Sequence, residues 1–142
     1  MRVSEAMTAD VVTVSPQASL IDAARLMRDS DIGPLPVCEN GRVLGVLTDR
    51  DITVRAVASG KAPESTRVAD VMSPEVVSCL DSDDVRRAAE IMQSAQLRRL
   101  LVVNSDGRLA GIVSLGDLAL QTGDEELTGK TLEGVSEPPP NK

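Results

Sequence analysis

Two stretches of the 142-residue chain carry the same pattern of groups able to cap a helix or hold a ligand. Gly45-Val-Leu-Thr48-Asp-Arg-Asp51 and Gly111-Ile-Val-Ser114-Leu-Gly-Asp117 each set out a glycine, two apolar residues, a hydroxyl and, three positions on, a carboxylate. Two readings of that spacing are open. A Ser or Thr followed three residues later by an acid resembles a capping box, in which hydroxyl and carboxylate each satisfy a free N–H at a helix start. The same hydroxyl also stands where free N–H groups and the helix dipole favour a phosphate, and a carboxylate one turn on can accept hydrogen bonds from a vicinal diol such as a ribose. Asp is shorter than the Glu or Gln usual in a capping box, so its carboxylate is expected to be freer to face a ligand. Thr48, Asp51, Ser114 and Asp117 are therefore the candidate residues, helix caps on the first reading and, on the second, a site for a nucleoside phosphate that binds without catalysis.

The rest of the composition narrows the function by exclusion. Histidine is absent, which removes Ser-His-Asp and Cys-His nucleophiles and every histidine-containing metal site. No nucleophile paired with a base is visible, so an enzyme is not expected and no catalytic residue is assigned. Phe, Trp and Tyr are absent too, and with them the stacking platforms of single-strand nucleic-acid binders. The net charge of -7 would repel a phosphate backbone, so nucleic acid is not an expected partner. Cys38 and Cys79 lie in apolar runs without CxxC spacing and are read as small buried hydrophobes. No apolar run approaches the ~18 residues of a membrane span, and the start of the chain lacks a signal-peptide pattern; the expectation is a soluble, cytoplasmic protein.

The elements that must position the two motifs come as a duplication. Sliding the chain on itself by 65 positions places Val3 on Val68, Met7 on Met72, Met27 on Met92, Leu35 on Leu100 and Val37 on Val102. One extra residue near Asp106 changes the shift to 66 and aligns Gly41, Gly45 and Asp51 with Gly107, Gly111 and Asp117. Within each copy, apolar β-branched runs at 11–14 and 76–79 predict a strand. Ser19 and Asp84 are N-caps for amphipathic helices carrying Leu20, Ala23, Ala24 and Met27 in one copy and Val85, Ala88, Ala89 and Met92 in the other. Hairpins follow at 35–47 and 100–113, turning at Asn40-Gly41 and Asp106-Gly107, whose residues are expected to supply positive φ. Helical stretches at about 49–58 and 115–121 close the copies.

The predicted fold is α+β, a tandem of β-α-β-β-α repeats. A copy this small buries its own sheet face poorly, so the two are expected to pack about a pseudo-twofold axis. The expected divisions are a first repeat at 1–58, a polar linker at 59–67, a second repeat at 68–121 and a loosely ordered, acidic then Pro-rich tail at 122–142.

Further carriers of identity are Val-x-x-x-Met-Thr at 3–8, Val-x-x-x-Met-Ser at 68–73, Asp-Ile-Gly-Pro-Leu-Pro-Val at 31–37 and Leu-Arg-Arg-Leu-Leu-Val at 97–102. In this order, and with both Gly-x-x-[Thr/Ser]-x-x-Asp segments, the chain resembles the CBS-domain pair, or Bateman module, over residues 3–121. In character it is similar to stand-alone bacterial CBS-pair proteins. The resemblance implies a regulatory sensor of an adenosine-type ligand, either AMP, ADP, ATP or S-adenosylmethionine, bound in clefts between the copies, with no cofactor required and no metal. It implies ribose held by Asp51 and Asp117, ribose or phosphate approached by Thr48 and Ser114, adenine against Val12, Val77, Pro36 and Val37, and phosphate faced by Arg50, Arg98 and Arg99. A homodimer that reports to an effector protein is implied as well.

The sequence departs from the family at Leu101, where Pro is frequent. Gly116 stands where the first copy has Arg50, and Gly33 and Pro34 stand where the second has Arg98 and Arg99, so the two clefts are not equivalent. The three arginines read equally well as solvated surface charges. The alternative function is a ligand-independent dimeric interaction or stress-response protein, in which both motifs are helix caps alone.

Overall fold

The computed structural model describes residues 1–136. In chain order its elements are α1 (Val3–Ala6), α2 (Leu20–Ser30), β1 (Leu35–Glu39), β2 (Arg42–Leu47), α3 (Asp49–Asp51) continuing as a π-helix (Ile52–Val57), a 3-10 turn (Val68–Asp70), β3 (Ser78–Leu80), α4 (Val85–Ala95), β4 (Arg99–Val103), β5 (Leu109–Ser114), α5 (Leu115–Thr122) and α6 (Glu125–Ser136). This is the α+β order expected. Among the described residues no helix is long and apolar enough to cross a membrane.

Compact units and sequence copies do not coincide. Val12–Val76 forms a central unit, and Met1–Val11 with residues 77–136 forms a terminal unit. The opening residues of each copy thus belong to the unit built from the body of the other. A backbone fit explains this. In the central unit Ser73 donates its N–H to Val46 O (2.9 Å) and accepts from Val46 N–H (2.9 Å). In the terminal unit Thr8 N–H donates to Ile112 O (2.8 Å) and Ile112 N–H to Thr8 O (2.9 Å). The neighbouring glycines permit the approach: a Cβ on Gly45 would lie 2.5 Å from the Ser73 carbonyl oxygen, and one on Gly111 2.5 Å from that of Thr8. Docked this way, Val68 and Val3 are fully buried, each in the core of its unit. Leader valine, leader hydroxyl residue and hairpin glycine are one interaction written in three places.

The central unit packs α2 and the β1–β2 hairpin around Val14, Leu20, Ala23, Leu35, Val37 and Leu47. Ser19 Oγ accepts from Asp22 N–H (3.1 Å), as an N-cap should. Asn40 and Gly41 turn the hairpin with φ of 54° and 80°, the left-handed pair of a tight two-residue turn. The 59–67 stretch, expected as a linker, lies inside this unit: Leu20 N–H donates to Thr66 O (3.0 Å) and Ile21 N–H to Pro63 O (3.3 Å).

The strand expected at 11–14 is reduced to one parallel bridge, Val14 with Val37. Val14 N–H donates to Pro36 O and Cys38 N–H to Val14 O. The next donor would be Pro16, which has no N–H. The terminal unit has Asp81 at the matching position, its N–H donates to Val103 O (3.0 Å), and β3 forms beside β4.

The terminal unit packs α1, α4 and the β3–β4–β5 sheet around Val3, Val85, Ala88, Ala89, Met92, Leu100, Val102, Val113 and Leu118. Its hairpin corrects the expected turn. Gly107 alone has positive φ (79°) in a longer loop, where Asn104 Oδ1 accepts from Asp106 N–H and Arg108 N–H (3.0 Å each). The inserted residue is accommodated by an Asn side chain acting as a turn acceptor.

The tail expected to be loosely ordered from about Thr122 instead forms α6 through Ser136. Its Leu127 and Val135 pack against the terminal core, and its fully buried Thr131 accepts from Gln93 Nε2 (3.3 Å). Composition predicted no packed face because three contacts spread over a polar helix leave little apolar signal. The Pro138–Pro140 run lies outside the described residues.

Glycine substitutions separate these contacts by stability. Gly45→Ala and Gly111→Ala should each lower stability by about 1–3 kcal/mol, the cost of overpacking against backbone, read as a fall in urea midpoint. In α6, a Cβ on Gly134 would meet Gln93 Cγ at 2.7 Å, whereas nothing lies within 4 Å of one on Gly129. Gly129→Ala should therefore raise stability by about 0.5–1 kcal/mol and Gly134→Ala should lower it; equal gains at both positions would show that α6 does not dock on α4.

Candidate functional site

Each hairpin hands the chain to a helix at the hydroxyl of its motif, and both junctions have the same geometry. At the start of α3, Asp51 N–H donates to Thr48 Oγ1 (3.1 Å) while Thr48 N–H donates to Asp51 Oδ2 (3.0 Å). At the start of α5, Asp117 N–H donates to Ser114 Oγ (3.0 Å) while Ser114 N–H donates to Asp117 Oδ2 (2.8 Å). These are complete reciprocal capping boxes. The expectation that the shorter Asp would leave its carboxylate free is corrected: one oxygen of each closes the cap, because a helix start this tight brings the third residue's side chain within reach of the N-cap N–H.

The second oxygen remains. Asp51 Oδ1 lies 3.9 Å from Arg55 Nε, with the Asp51 side chain 16% exposed. Asp117 Oδ1 has no partner among the described residues. An ionised carboxylate has about four acceptor sites and a hydroxyl that accepts still has its proton to donate. All four residues are partly exposed. Each corner can therefore offer a carboxylate acceptor and a hydroxyl donor side by side without dismantling the cap.

The other residues implied for the site divide in two groups. Arg50, Arg98 and Arg99 are exposed, and among the described residues none of their guanidinium groups makes a hydrogen bond or ion pair. Arg98 and Arg99 adjoin the Ser114 cap: Arg98 O accepts from Leu115 N–H (2.8 Å), and Arg99 pairs with Ser114 in the β4–β5 register. Of the residues expected to line an adenine, Val12 is half-buried and Val77 is 39% exposed. Val37 is a correction. Its side chain is fully buried in the central core with Leu35 and Leu47, because alternation along β1 turns Leu35 and Val37 to the same face. Pro36 is buried as well, its carbonyl taken by Val14 N–H (3.0 Å).

Two side chains not singled out in the sequence belong to the central corner. Arg55 stands one helical turn beyond Asp51 and also donates through Nη1 to Val71 O (3.3 Å) and Met72 O (3.4 Å); the i, i+4 spacing to an acid was the available signal. Asp49 holds its carboxylate next to Gly33, where a Cβ would lie 3.2 Å from Oδ1. No local pattern announces that contact.

The surroundings of both cysteines disfavour the thiolate. Burial pushes the Cys38 thiol up, and burial with the nearby Asp83 charge pushes that of Cys79 up to about 11. Among the described residues no cluster of His, Cys, Asp or Glu is placed to hold a metal ion.

Comparison with known proteins matches this geometry to a family. The CBS domain model matches twice, at residues 3–57 and 68–121. The CBS domain-containing protein YhcV of Bacillus subtilis is 41% identical over 134 residues, covering 94% of each chain. Among solved structures, that of Hypoxic Response Protein I with two coordinated zinc ions is similar at a TM-score of 0.76 and 31% identity, over 85% of this chain and 98% of its own. The structure of CBSX2 in complex with AMP is similar at a TM-score of 0.72 and 29% identity, over 86% of this chain and 98% of its own. Two hairpins, each crossed by a leader at a glycine and each ending in a hydroxyl–carboxylate corner, are thus two CBS domains in tandem, and the chain belongs to the CBS-domain family.

Proposed function

We propose that the protein is a cytoplasmic regulatory module that senses an adenosine ligand, AMP, ADP, ATP or S-adenosylmethionine, through the corners Thr48–Asp51 and Ser114–Asp117. One observation carries the reading: each corner completes its cap with one carboxylate oxygen and leaves the other beside a hydroxyl. A ribose diol needs acceptors, and Asp51 and Asp117 supply them; Thr48 and Ser114 can donate to ribose or phosphate oxygens. Val12 and Val77 offer apolar surface to a base. The similarity to CBSX2, solved with AMP, supports an adenosine ligand. The response is a change of conformation passed on by a homodimer to an effector protein, with no bond made or broken.

A second reading has its own support. The reciprocal caps account for both motifs as helix starts with no ligand involved.

A thermal-shift panel decides between them. Millimolar AMP, ADP, ATP and S-adenosylmethionine should include at least one ligand that raises Tm, and a hundredfold excess over Kd adds about 2.7 kcal/mol of stability. Asp51→Ala and Asp117→Ala should each cost about 0.5–2 kcal/mol as lost caps and also reduce the ligand-dependent shift. If the variants lose stability but no ligand shifts the parent protein, the ligand-independent reading holds.

A further inference from the structure

α6 covers a helix face that its duplicate leaves bare. Slid by 65 positions, Ala24 of α2 falls on Ala89 of α4, yet Ala24 is exposed and Ala89 fully buried. α6 accounts for the difference, since its Leu127 and Val135 pack against the cluster that holds Ala89. In the central unit the chain after the closing helix, residues 59–67, crosses the first turn of α2, where Leu20 and Ile21 donate to the Thr66 and Pro63 carbonyls (3.0 and 3.3 Å). It leaves Ala24 open. The matched repeats end at residue 121, so α6 is an addition to them.

α6 is held at a polar seat and a hinge. Thr131 is its buried residue, and the hydroxyl there donates to Leu127 O (2.7 Å) and accepts from Gln93 Nε2 (3.3 Å). Leu132 is 43% exposed, and Gly129 and Gly134 weaken the helix. A helix of 12 residues is marginal without its packing partner. The joint to α5 is Gly123, in the left-handed region at φ 65° with nothing within 4 Å of a Cβ. Just beyond it, Asp124 Oδ1 accepts from Leu127 N–H (2.9 Å), so the first turn of α6 keeps its cap when the helix swings away. A hollow of about 380 Å³ lies between α5 and α6, lined by Ala119, Asp124, Thr128 and Gly129.

Arg86, Ala89, Glu90 and Gln93 share one face of α4 by their i, i+3, i+4, i+7 spacing. We propose that this is a self-association face and α6 the strap that guards it: docked, the strap keeps the face closed; swung out about Gly123, it lets the α4 faces of two copies pack together. The face is self-complementary, as an isologous contact must be. In an antiparallel pair Ala89 admits a close crossing, and Arg86 of each copy meets the part of the face that carries Glu90 in the other. Glu90 stands 3.4 Å from Arg87, both side chains exposed, and such a surface pair costs little to exchange. Nothing in this device depends on what the corners bind.

Amide hydrogen exchange and light scattering on the full chain test this. In the parent protein the amides of residues 128–135 should exchange about tenfold or more faster than those of Ala88, Ala89 and Met92, the mark of an element that opens alone. Arginine cannot take the buried seat of Thr131, so Thr131→Arg should strip α6 of protection and leave α4 protected. It should also give a species of about twice the parent mass as concentration rises. Ala89→Glu added to Thr131→Arg should return the mass to that of the parent, since it sets two like charges at the crossing; the exposed Ala24 marks the uncovered position as one with room for a larger side chain. If α6 and α4 exchange together, or if Thr131→Arg keeps α6 protected or unfolds the terminal unit, α6 is a core element and no strap. A released α6 with the parent mass at every concentration would show that the α4 face does not self-associate, and a doubled mass that survives Ala89→Glu would put the contact elsewhere.

Discussion

At Gly45 the carbonyl oxygen of Ser73 stands where a Cβ would come within 2.5 Å, and at Gly111 the carbonyl of Thr8 does the same. Two backbones pass with nothing between them, and each crossing is held by a reciprocal pair of hydrogen bonds one residue further along the hairpin strand. From that crossing the leader valine reaches the core, Val68 in one unit and Val3 in the other. The same strand runs on to the hydroxyl residue three positions later, where it must end because the cap turns the chain into a helix. The glycine and the capping pair are thus two ends of one constraint: the first holds the strand against its leader, the second fixes where the strand stops and which oxygen atoms face outward.

The cap also changes what a ligand would encounter. A carboxylate held by an N–H bond through Oδ2 has already lost its rotamer freedom, so its Oδ1 is presented in a fixed direction before anything binds. Ordering a side chain on binding costs about 0.5–1.5 kcal/mol, and here folding has already met that cost. The capping role leaves room for the proposed binding role at these residues, since the cap uses one oxygen of each carboxylate. In the central unit Arg55 neutralises part of the Asp51 charge and ties the helix to the leader carbonyls; in the terminal unit Asp117 has no such neighbour among the described residues.

Duplication preserved the local interactions and released the peripheral ones. Caps, hairpin registers, bulges and leader crossings recur in both units. Differences gather where the ladder runs out or the surface begins. Pro16 in place of Asp81 stops a strand, Asp49 over Gly33 takes the position of an arginine, and the helix after Asp51 winds as a π-helix where that after Ser114 stays α. The wider turn accompanies the reach of Arg55 to Val71 and Met72.

Residue spacing by itself determined the repeat, the helix and hairpin positions, and the four capping residues. Those features rest on interactions three or four residues apart or directly across a turn, and a periodic pattern records them. Tertiary structure decided the rest: that each leader belongs to the unit of the other copy, that Val37 is core, that Asp49 covers Gly33, and that the polar stretch from Glu125 folds against α4. Each depends on atoms far apart in sequence, such as Gly134 against Gln93 or Thr8 against Gly111. A local pattern can show that a glycine is present; only the folded chain shows which backbone fills the space it leaves.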